Sequence, residues 1–404
     1  MVNALKSETL AEGVKECSAC GACLASCPTN SIAMKEDKEG FHRPYISSDS
    51  CIGCRKCLKI CPALNLDKEI IPEIPVPQTY AVVHKDADVL SKSSSGGAFS
   101  AIAKDILDDG GVVCGAIYDE HLNIIHSISD TMEGIAPMRG SKYAPGAAYP
   151  VFKEIKKVLK TGRKVLFTGL PCQVVGLKAY LGNLSKNDNL VTCDIICHGM
   201  VSHALYKGFL SSLSKNNKHV KSINFRQKTS HGSVLRITYT NQTFTDIPFN
   251  KNHYYHILLS DNCLRHSCYN CIARQLPRKA DLTIGDFWGV KKILPDINEK
   301  KGVSVIFTHS IKANEIVKHI ATSTSLIKTP FSHGVYENSA FWISPTCYPS
   351  REKFISYLRK HGYQKTVKHF YKRSPLKRCI YALGRHVISI YRNIFPNKRT
   401  LNPS

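Results

Sequence analysis

The sequence is poor in acidic residues and has no long apolar segment, and each deficit restricts the functions open to it. Against 55 Lys and Arg stand only 31 Asp and Glu, so the formal net charge is +24. Such an excess predicts an anionic partner, cofactor or surface. No apolar run reaches the roughly 18 residues that a membrane span needs. The first ten residues lack the apolar core of a signal peptide, and we therefore expect a cytoplasmic protein.

Cysteine, in contrast, is abundant. The chain has 17 Cys among its 404 residues, and without an export signal we expect them to bind metal and not to form disulfides. Two runs share the pattern C-x2-C-x2-C-x3-C-P, the first with Cys17, Cys20, Cys23 and Cys27 and the second with Cys51, Cys54, Cys57 and Cys61. In the bacterial ferredoxin pattern, the fourth Cys of each run ligates the other cluster.

This pattern predicts two [4Fe–4S] clusters. The first would be held by Cys17, Cys20, Cys23 and Cys61, and the second by Cys51, Cys54, Cys57 and Cys27. A pair of zinc ribbons is the alternative, but zinc sites are typically built from two CxxC pairs or from Cys and His together. Two matched runs that each end in Cys-Pro fit zinc poorly.

The order of predicted elements indicates two further regions. Strands alternate with helices between residues 80 and 197, which predicts an α/β fold with a partly parallel sheet. Alternating segments at 223–226 and 234–239 predict antiparallel strands, so the sheet becomes mixed. In chain order we predict a 2[4Fe–4S] ferredoxin-type module of α+β character (1–70), a Pro-rich linker (71–78), two parts of an α/β domain (79–180 and 181–345) and a basic helical tail (346–404).

The tail is strongly basic. From residue 351 onward it contains fourteen Lys and Arg and one acid, Glu352. Apolar residues and arginines fall on opposite helical faces, namely Ile380, Leu383, Val387, Tyr391 and Ile394 against Arg378, Arg385 and Arg392. This pattern is typical of peripheral membrane helices, although a terminal helix docked on the body fits equally well. Nucleic-acid binding has only the net charge in its favour, and we expect no such partner.

A third group of cysteines lies beyond the ferredoxin runs. Cys172 and Cys197 follow predicted strands, and Cys268 and Cys271 form a CxxC pair. Loops after strands are where α/β folds place their sites, so a third metal site is predicted, with a cluster favoured over zinc. Cys193 and Cys263 compete as ligands, and buried unligated cysteines are the alternative interpretation.

Three loops suggest a bound dinucleotide or flavin. Residues 94–97 precede a predicted helix, whose N-terminus would favour an anion. Residues 139–143 add cations and hydroxyls, and residues 168–173 form another strand-to-helix loop. None of the three is the Rossmann fingerprint, and each alone is also compatible with an ordinary turn.

Taken together, these motifs resemble the family of coenzyme F420 hydrogenase/dehydrogenase beta subunits, over about residues 78 to 289. The matching motifs are Ser95-Gly-Gly-Ala-Phe-Ser100, Arg139-Gly-Ser-Lys-Tyr143, Gly169-Leu-Pro-Cys-Gln173, Cys193-Asp-Ile-Ile-Cys-His-Gly199, and Cys268-x-x-Cys271 followed by Ala280-Asp-Leu-Thr-Ile-Gly-Asp-Phe-Trp-Gly289. The resemblance implies an FAD-binding α/β domain with a cluster beside the flavin. The implied cluster ligands are Cys172, Cys197, Cys268 and Cys271, and the implied FAD-binding residues are Ser95, Gly96, Gly97, Arg139, Ser141, Lys142, Tyr143, Thr168, Gly169, Pro171 and Gln173.

The expected function is that of an iron–sulfur flavoprotein oxidoreductase. It would pass electrons from a ferredoxin-like donor through the clusters to FAD and on to an unidentified acceptor, and many similar bacterial proteins are associated with surface polysaccharide synthesis. The alternatives are a non-catalytic electron-transfer subunit serving a partner enzyme and an F420-dependent dehydrogenase subunit. We predict His198 as the proton donor because imidazole titrates near neutral pH. Arg55, Lys56 and Lys59 would form a docking face for ferredoxin or another acidic redox protein.

Overall fold

The computed structural model describes residues 14, 16–65, 74–214, 219–230, 232–299 and 302–371. The predicted amphipathic helix of the tail and residues 71–73 of the predicted linker lie outside these residues. None of the described helices is long and apolar enough to cross a membrane.

The N-terminal module combines short helices with one hairpin. Its elements are α1 (Ala22–Ser26), β1 (Ile32–Glu36), β2 (His42–Ile46), α2 (Lys56–Lys59) and α3 (Pro62–Asn65). Strands β1 and β2 pair antiparallel and form a hairpin between the two cysteine runs. Helix α1 begins after Gly21, which has a φ of 77°. A side chain there would be strained by that φ and would also overlap Tyr149, whose Cβ would lie 2.3 Å from the added carbon.

A nine-stranded sheet forms the centre of the body. Its strands are β3 (Gln78–His84), β4 (Val112–Tyr118), β5 (Ile124–Ser129), β6 (Gly146–Ala147), β7 (Val165–Gly169), β8 (Leu190–Ile195), β12 (Leu282–Asp286), β13 (Ser304–Thr308) and β14 (Thr324–Thr329). Their spatial order is β14-β3-β13-β12-β8-β7-β4-β5-β6. The central strands β12, β8, β7 and β4 run parallel, whereas β13, β3 and β14 are antiparallel to their neighbours. The predicted mixed α/β sheet is therefore confirmed.

Helices cover both faces of the parallel region. The helices of the body are α4 (Ala87–Ser91), α5 (Ala98–Asp108), α6 (Met132–Ile135), α7 (Phe152–Lys160), α8 (Pro171–Leu181), α9 (His203–Leu213), α10 (His253–Leu258), α11 (Val290–Ile293), α12 (Ile311–Ile320), α13 (Phe331–Val335) and α14 (Ser350–Phe370). One buried layer joins α5 and α12 to the sheet through Val113 and Leu166. The opposite layer joins α7 and α8 through Val165 and Phe167. Because successive residues of a strand point to opposite faces, these strands are apolar almost throughout.

A second sheet lies in a separate apolar cluster. Strands β9 (Val220–Thr229), β10 (Gly232–Tyr239) and β11 (Phe244–Pro248) form an antiparallel sheet. Its buried residues pack with those of α9, α10 and α14. Helix α14 also reaches the ferredoxin hairpin, because Arg351 donates from Nη1 to Oε1 of Glu39 at 3.0 Å. The sequence predicted the middle of β9 and most of β10 but missed β5, β14 and α9.

Candidate functional site

The first cysteine set lines a small cavity in the ferredoxin module. Its members are Cys17, Cys20, Cys23 and Cys61, beside Met34 and Pro44 of the hairpin strands. The thiol of Cys23 interacts electrostatically with the other three, so Cys61 of the second run joins the first set. Burial raises the pKa of Cys20 to about 12. Since metal ligation requires thiolates, binding at this set would release protons.

The second set lies at the surface. Cys57 interacts electrostatically with Cys54 and Cys51, and both of these residues are exposed. Cys27, the predicted fourth ligand, follows α1, and its sulfur accepts a hydrogen bond from the backbone N–H of Ser31 at 3.3 Å. The part of Cys27 as a ligand stays a prediction.

The third set assembles from three distant parts of the chain. Cys172 lies at the start of α8, Cys197 follows β8, and Cys268 and Cys271 belong to the loop before β12. The thiol of Cys172 interacts electrostatically with those of the other three, and burial raises its pKa well above the ordinary value. The structure thus brings together the four cysteines that the family resemblance implied.

The two competing cysteines occupy apolar layers instead. Cys193 is 1% exposed and packs between the sheet and the α5–α12 layer. Cys263 is fully buried in the cluster beneath the second sheet, and its thiol donates to the carbonyl of Ile257 at 3.3 Å. Among the residues that the structure describes, no group of three or more Cys, His, Asp or Glu side chains has the geometry of a single-ion site. A four-iron cluster is larger than one ion and holds its thiolates further apart.

The first and third sets are neighbours. The Cys172 thiol also interacts electrostatically with that of Cys20. One helical turn beyond Cys172, α8 presents Gly176, and a Cβ built there would lie 2.6 Å from Cys20 Cβ and 3.0 Å from its sulfur. Residues four apart share a helix face, so α8 turns Cys172 and Gly176 toward the first set.

A pocket of about 280 Å³ adjoins the third set. Leu170 and Ile196 line it, and they lie close in sequence to Cys172 and Cys197, respectively. Most of the predicted FAD-binding residues also line it, namely Ser95, Gly97, Arg139, Ser141, Lys142, Tyr143, Thr168, Gly169 and Gln173. The three predicted loops therefore converge on one pocket, at the carboxyl ends of β7 and β8.

Two of the predicted residues do not line the pocket. The backbone of Gly96 is buried against the sheet, and its N–H donates to Ser304 Oγ at 2.9 Å. A Cβ at Gly96 would lie 2.1 Å from the carbonyl oxygen of Val82, so glycine is needed for this close approach. Pro171 is the buried first residue of α8, where its fixed φ suits a helix start.

Hydrogen bonds tie the pocket loops to one another. The N–H of Ser141 donates to Ser94 Oγ at 2.7 Å, and Arg139 Nε donates to Ser100 Oγ at 3.0 Å. The Gln173 side chain accepts from the N–H of Leu170 at 2.8 Å and donates to the carbonyl of Gly146 at 3.1 Å. These bonds hold the loops in place around the pocket. Helix α5 begins at the same loops, and its N-cap Gly97 supplies no side-chain hydrogen bond to its first N–H groups.

The pocket wall is electropositive. Lys142 Nζ donates to the carbonyls of Met138, Arg139 and Gly140 at 3.0–3.3 Å. Burial lowers its pKa to about 8, and none of the described carboxylates forms an ion pair with it. His126 donates from Nε2 to the Thr168 carbonyl at 3.0 Å, and burial lowers its pKa to about 4.

Sequence reasoning missed the charged pair at one side of the pocket. Asp286, at the end of β12, lines the pocket and accepts from both Nη atoms of Arg226 at 2.9 and 3.3 Å. Arg226 Nη1 also donates to the Tyr143 hydroxyl at 3.3 Å. A polar residue at the carboxyl end of a strand was the available signal for Asp286. Arg226 gave no such signal, because it comes from the second sheet.

His198 lies elsewhere. It does not line the pocket, and its Nε2 is 2.7 Å from Asp261 Oδ1. The carbonyls of His198 and Cys197 accept hydrogen bonds from Arg274. A direct role for His198 in proton transfer stays a prediction. The titratable side chains that line the pocket are His126, Arg139, Lys142, Tyr143 and Asp286.

Three family models match the chain. The N-terminal and C-terminal models of the coenzyme F420 hydrogenase/dehydrogenase beta subunit match residues 79–153 and 162–333. The 4Fe-4S dicluster domain matches residues 16–65.

Individual relatives are distant. One subunit of the F(420)H(2) dehydrogenase of Methanosarcina mazei is 24% identical over 186 residues, which cover 43% of this chain and 51% of that protein. An uncharacterized protein of Methanocaldococcus jannaschii is 26% identical over 207 residues, which cover 43% of this chain and 54% of that protein. The chain thus spans about half the length of these two relatives.

A solved structure of the F420-reducing [NiFe] hydrogenase complex from Methanosarcina barkeri contains a similar chain. The TM-score is 0.45 and the identity 18%, over 75% of this chain and 95% of the other. The family models alone carry the assignment, since they match nearly all of residues 79–333 and the ferredoxin runs before them. The chain therefore belongs to the family of coenzyme F420 hydrogenase/dehydrogenase beta subunits and carries an N-terminal 4Fe-4S dicluster domain.

Proposed function

We propose that this chain is an iron–sulfur electron-transfer subunit that takes up electrons at its exposed second cysteine set and delivers them to an FAD in the pocket, for use by a partner enzyme. One observation carries the proposal, namely the uninterrupted succession of three cysteine sets and a pocket. The second set includes the exposed Cys51 and Cys54, and the first set lies partly buried in the same module. The third set adjoins the first at Cys20 and Cys172, and the pocket adjoins the third.

The cysteine sets fit clusters. The first and third each bring four thiols together, and the second brings three, with Cys27 following the packed helix α1. Buried cations accompany the third set, where Arg274 and Arg278 interact electrostatically with the thiol of Cys197. Cations beside thiolates suit a group whose net charge is negative.

The pocket fits the flavin portion of a dinucleotide. Its wall has apolar side chains, a cationic Lys142 and the start of helix α5, which favours an anion. His126 carries a buried Nδ1 that lies near the backbone of Ala147 without a well-formed hydrogen bond. A bound group could satisfy this atom. The residues that would hold FAD are those of the three converging loops.

When bound, clusters carry single electrons and FAD exchanges electrons both singly and in pairs. The residues of this chain fix the order and spacing of those groups and shield the inner ones from water. Cys51 and Cys54 leave the outermost set accessible, and Arg55, Lys56 and Lys59 surround it with positive charge. This surface suits an acidic electron donor such as ferredoxin.

Metal and flavin content after anaerobic purification test the proposal. We expect FAD and about twelve irons per chain, as three cubanes require. Cys172→Ala should lose about a third of the iron and slow the reduction of bound FAD by reduced ferredoxin. Cys263→Ala is the matched control, because Cys263 is a buried cysteine that packs in an apolar cluster, and it should retain the iron. Zinc in place of iron, or a Cys172→Ala protein with full iron and wild-type electron transfer, would contradict the proposal.

A second candidate function is an oxidoreductase that reduces a small molecule itself. The pocket favours it, because the Arg226–Asp286 pair provides polar groups for a substrate at one side of the lining. Reduced protein would be mixed with small-molecule acceptors, coenzyme F420 among them, and flavin reoxidation recorded. Reoxidation by a small molecule would support the enzyme, and reoxidation by a partner protein alone would support the electron-transfer role. The link to surface polysaccharide synthesis stays a prediction.

A further inference from the structure

We propose that Arg265 is the shared counter-charge of the first and third cysteine sets and raises the reduction potentials of both clusters that they would hold. The inference rests on the proposed function, since it requires clusters at both sets. It assigns a part to a residue outside the pocket and outside every predicted site.

Arg265 is buried without a carboxylate partner. It is 4% exposed, and none of the described Asp or Glu side chains lies within ion-pair distance of it. Its side chain donates from Nη1 to the carbonyl of His42 at 2.9 Å, and its guanidinium lies 5.0 Å from the centre of the Phe41 ring. A guanidinium does not lose its proton in proteins, so a full positive charge is buried here. Such a charge is unfavourable unless an anion compensates it.

The groups around Arg265 that can become anionic are ligand cysteines. Its guanidinium interacts electrostatically with the thiols of Cys17, Cys172 and Cys268. Cys17 belongs to the first set, and Cys172 and Cys268 belong to the third. The backbone also fixes this placement, because the N–H of Arg265 donates to Met200 and its carbonyl accepts from the N–H of Cys268.

The other charged groups nearby are cations or lie beside other partners, and Glu16, next to Cys17, lies 3.8 Å from Nδ1 of His266. Arg43 is paired with Asp37 at 2.8 Å. His42 and His203 stack with their ring centres 3.4 Å apart, and burial lowers the pKa of His203 to about 3, so that ring is neutral near pH 7. Lys207 adds a further positive charge beside these rings. Thiolates and their clusters are therefore the available compensation.

Other buried arginines differ in their surroundings. Arg278 pairs with Asp194 at 3.2 Å, and Arg351 pairs with Glu39. Arg274 borders the third set, where it donates to the carbonyl of Cys197. Arg265 combines electrostatic interaction with both sets and the lack of a described carboxylate partner.

The consequence for electron transfer follows from charge. In the step between the two sets, one electron leaves the reduced first cluster and enters the oxidised third cluster, and no proton is required. Each cluster is more negative when it is reduced, so a fixed positive charge beside it favours the reduced form. Net charge and burial are among the factors that set the potentials of such clusters. Arg265 borders both clusters, so it would favour reduction of each.

Redox titrations followed by EPR spectroscopy test this on the full-length protein with its clusters. In Arg265→Gln, which removes the charge, we expect the potentials of the first and third clusters to fall by at least about 59 mV, the tenfold change of a one-electron equilibrium. The exposed second cluster should not shift. Arg359→Gln is the matched control, because it removes a charge that is paired with Glu36 on the hairpin, and it should leave all three potentials unchanged. Unchanged potentials in an iron-replete Arg265→Gln protein would overturn the proposal.

Arg265→Lys decides the case in which Arg265→Gln loses its iron. Lysine keeps the charge but not the planar set of donors. Potentials close to wild type would support charge compensation. A shift of about 59 mV or more would show that the planar set of hydrogen-bond donors sets the potentials, and would overturn the proposal. Iron content separates this inference from the proposed function: wild-type protein with only about eight irons would refute the third cluster itself.

Discussion

Gly176→Ala tests how closely the first and third cysteine sets approach each other. The added Cβ would lie 2.6 Å from Cys20 Cβ, whereas carbon atoms in comfortable contact are about 3.5–4.0 Å apart. Helix α8 and the segment around Cys20 must therefore separate by about 1 Å. Overpacking of this kind typically costs about 1–3 kcal/mol.

Helix propensity acts in the opposite direction. Alanine is favoured over glycine inside a helix by about 1 kcal/mol. If the space beside Gly176 were open, the substitution would stabilise the protein by that amount. We therefore expect a net destabilisation of about 0–2 kcal/mol. Ala179→Gly on the same helix is the matched control, since it reports the propensity effect at a half-buried position and adds no atom near Cys20.

Two measurements separate the effects. Cluster proteins commonly unfold irreversibly, so apparent melting temperatures are compared at one scan rate. The magnetic interaction between the reduced first and third clusters, read from EPR line shape and relaxation, should weaken in Gly176→Ala and stay unchanged in Ala179→Gly. A Gly176→Ala protein that melts higher than wild type with an unchanged magnetic interaction would refute the proposed contact.

Three further predictions concern other parts of the molecule. Arg351→Met should leave Glu39 without its partner, cost about 1–3 kcal/mol and speed hydrogen exchange in the ferredoxin hairpin; unchanged exchange would contradict it. Burial lowers the pKa of His309 to about 3, below an unfolded value near 6.5. The stabilising effect of neutral His309 is therefore complete above about pH 6.5. Below that pH, the free energy of unfolding falls by about 1.4 kcal/mol per pH unit until the pH nears 3. The fall in apparent urea midpoint between pH 7.5 and 5.5 should accordingly be smaller in His309→Gln than in wild type, and equal falls would refute this reasoning. Lys142→Met should weaken FAD binding about tenfold or more, as expected for a lost charge-assisted contact. Unchanged affinity in a fluorescence titration of flavin-free protein would show that Lys142 does not contact the anionic part of FAD.

Strand alternation alone could not predict which of Cys193 and Cys197 belongs to the third cysteine set. Cys193 and Cys197 are four apart, and in a continuous strand they would share a face. Strand β8 ends at Ile195, however, so Cys193 packs under the sheet whereas the chain turns Cys197 toward the third set. The alternation that the sequence shows does not reveal the residue at which a strand stops.

The sequence by itself determined the ferredoxin runs, the mixed α/β body and the loops that line the pocket. These features depend on short-range spacing, on alternating patterns and on turn residues, all of which can be recognised in the sequence. Only the tertiary structure decided that the third set adjoins the first across Gly176, that Asp286 meets Arg226, and that Arg265 lies buried between two cysteine sets. Those relations join residues far apart in sequence, and they arise from how helices and loops pack, which local pattern does not specify.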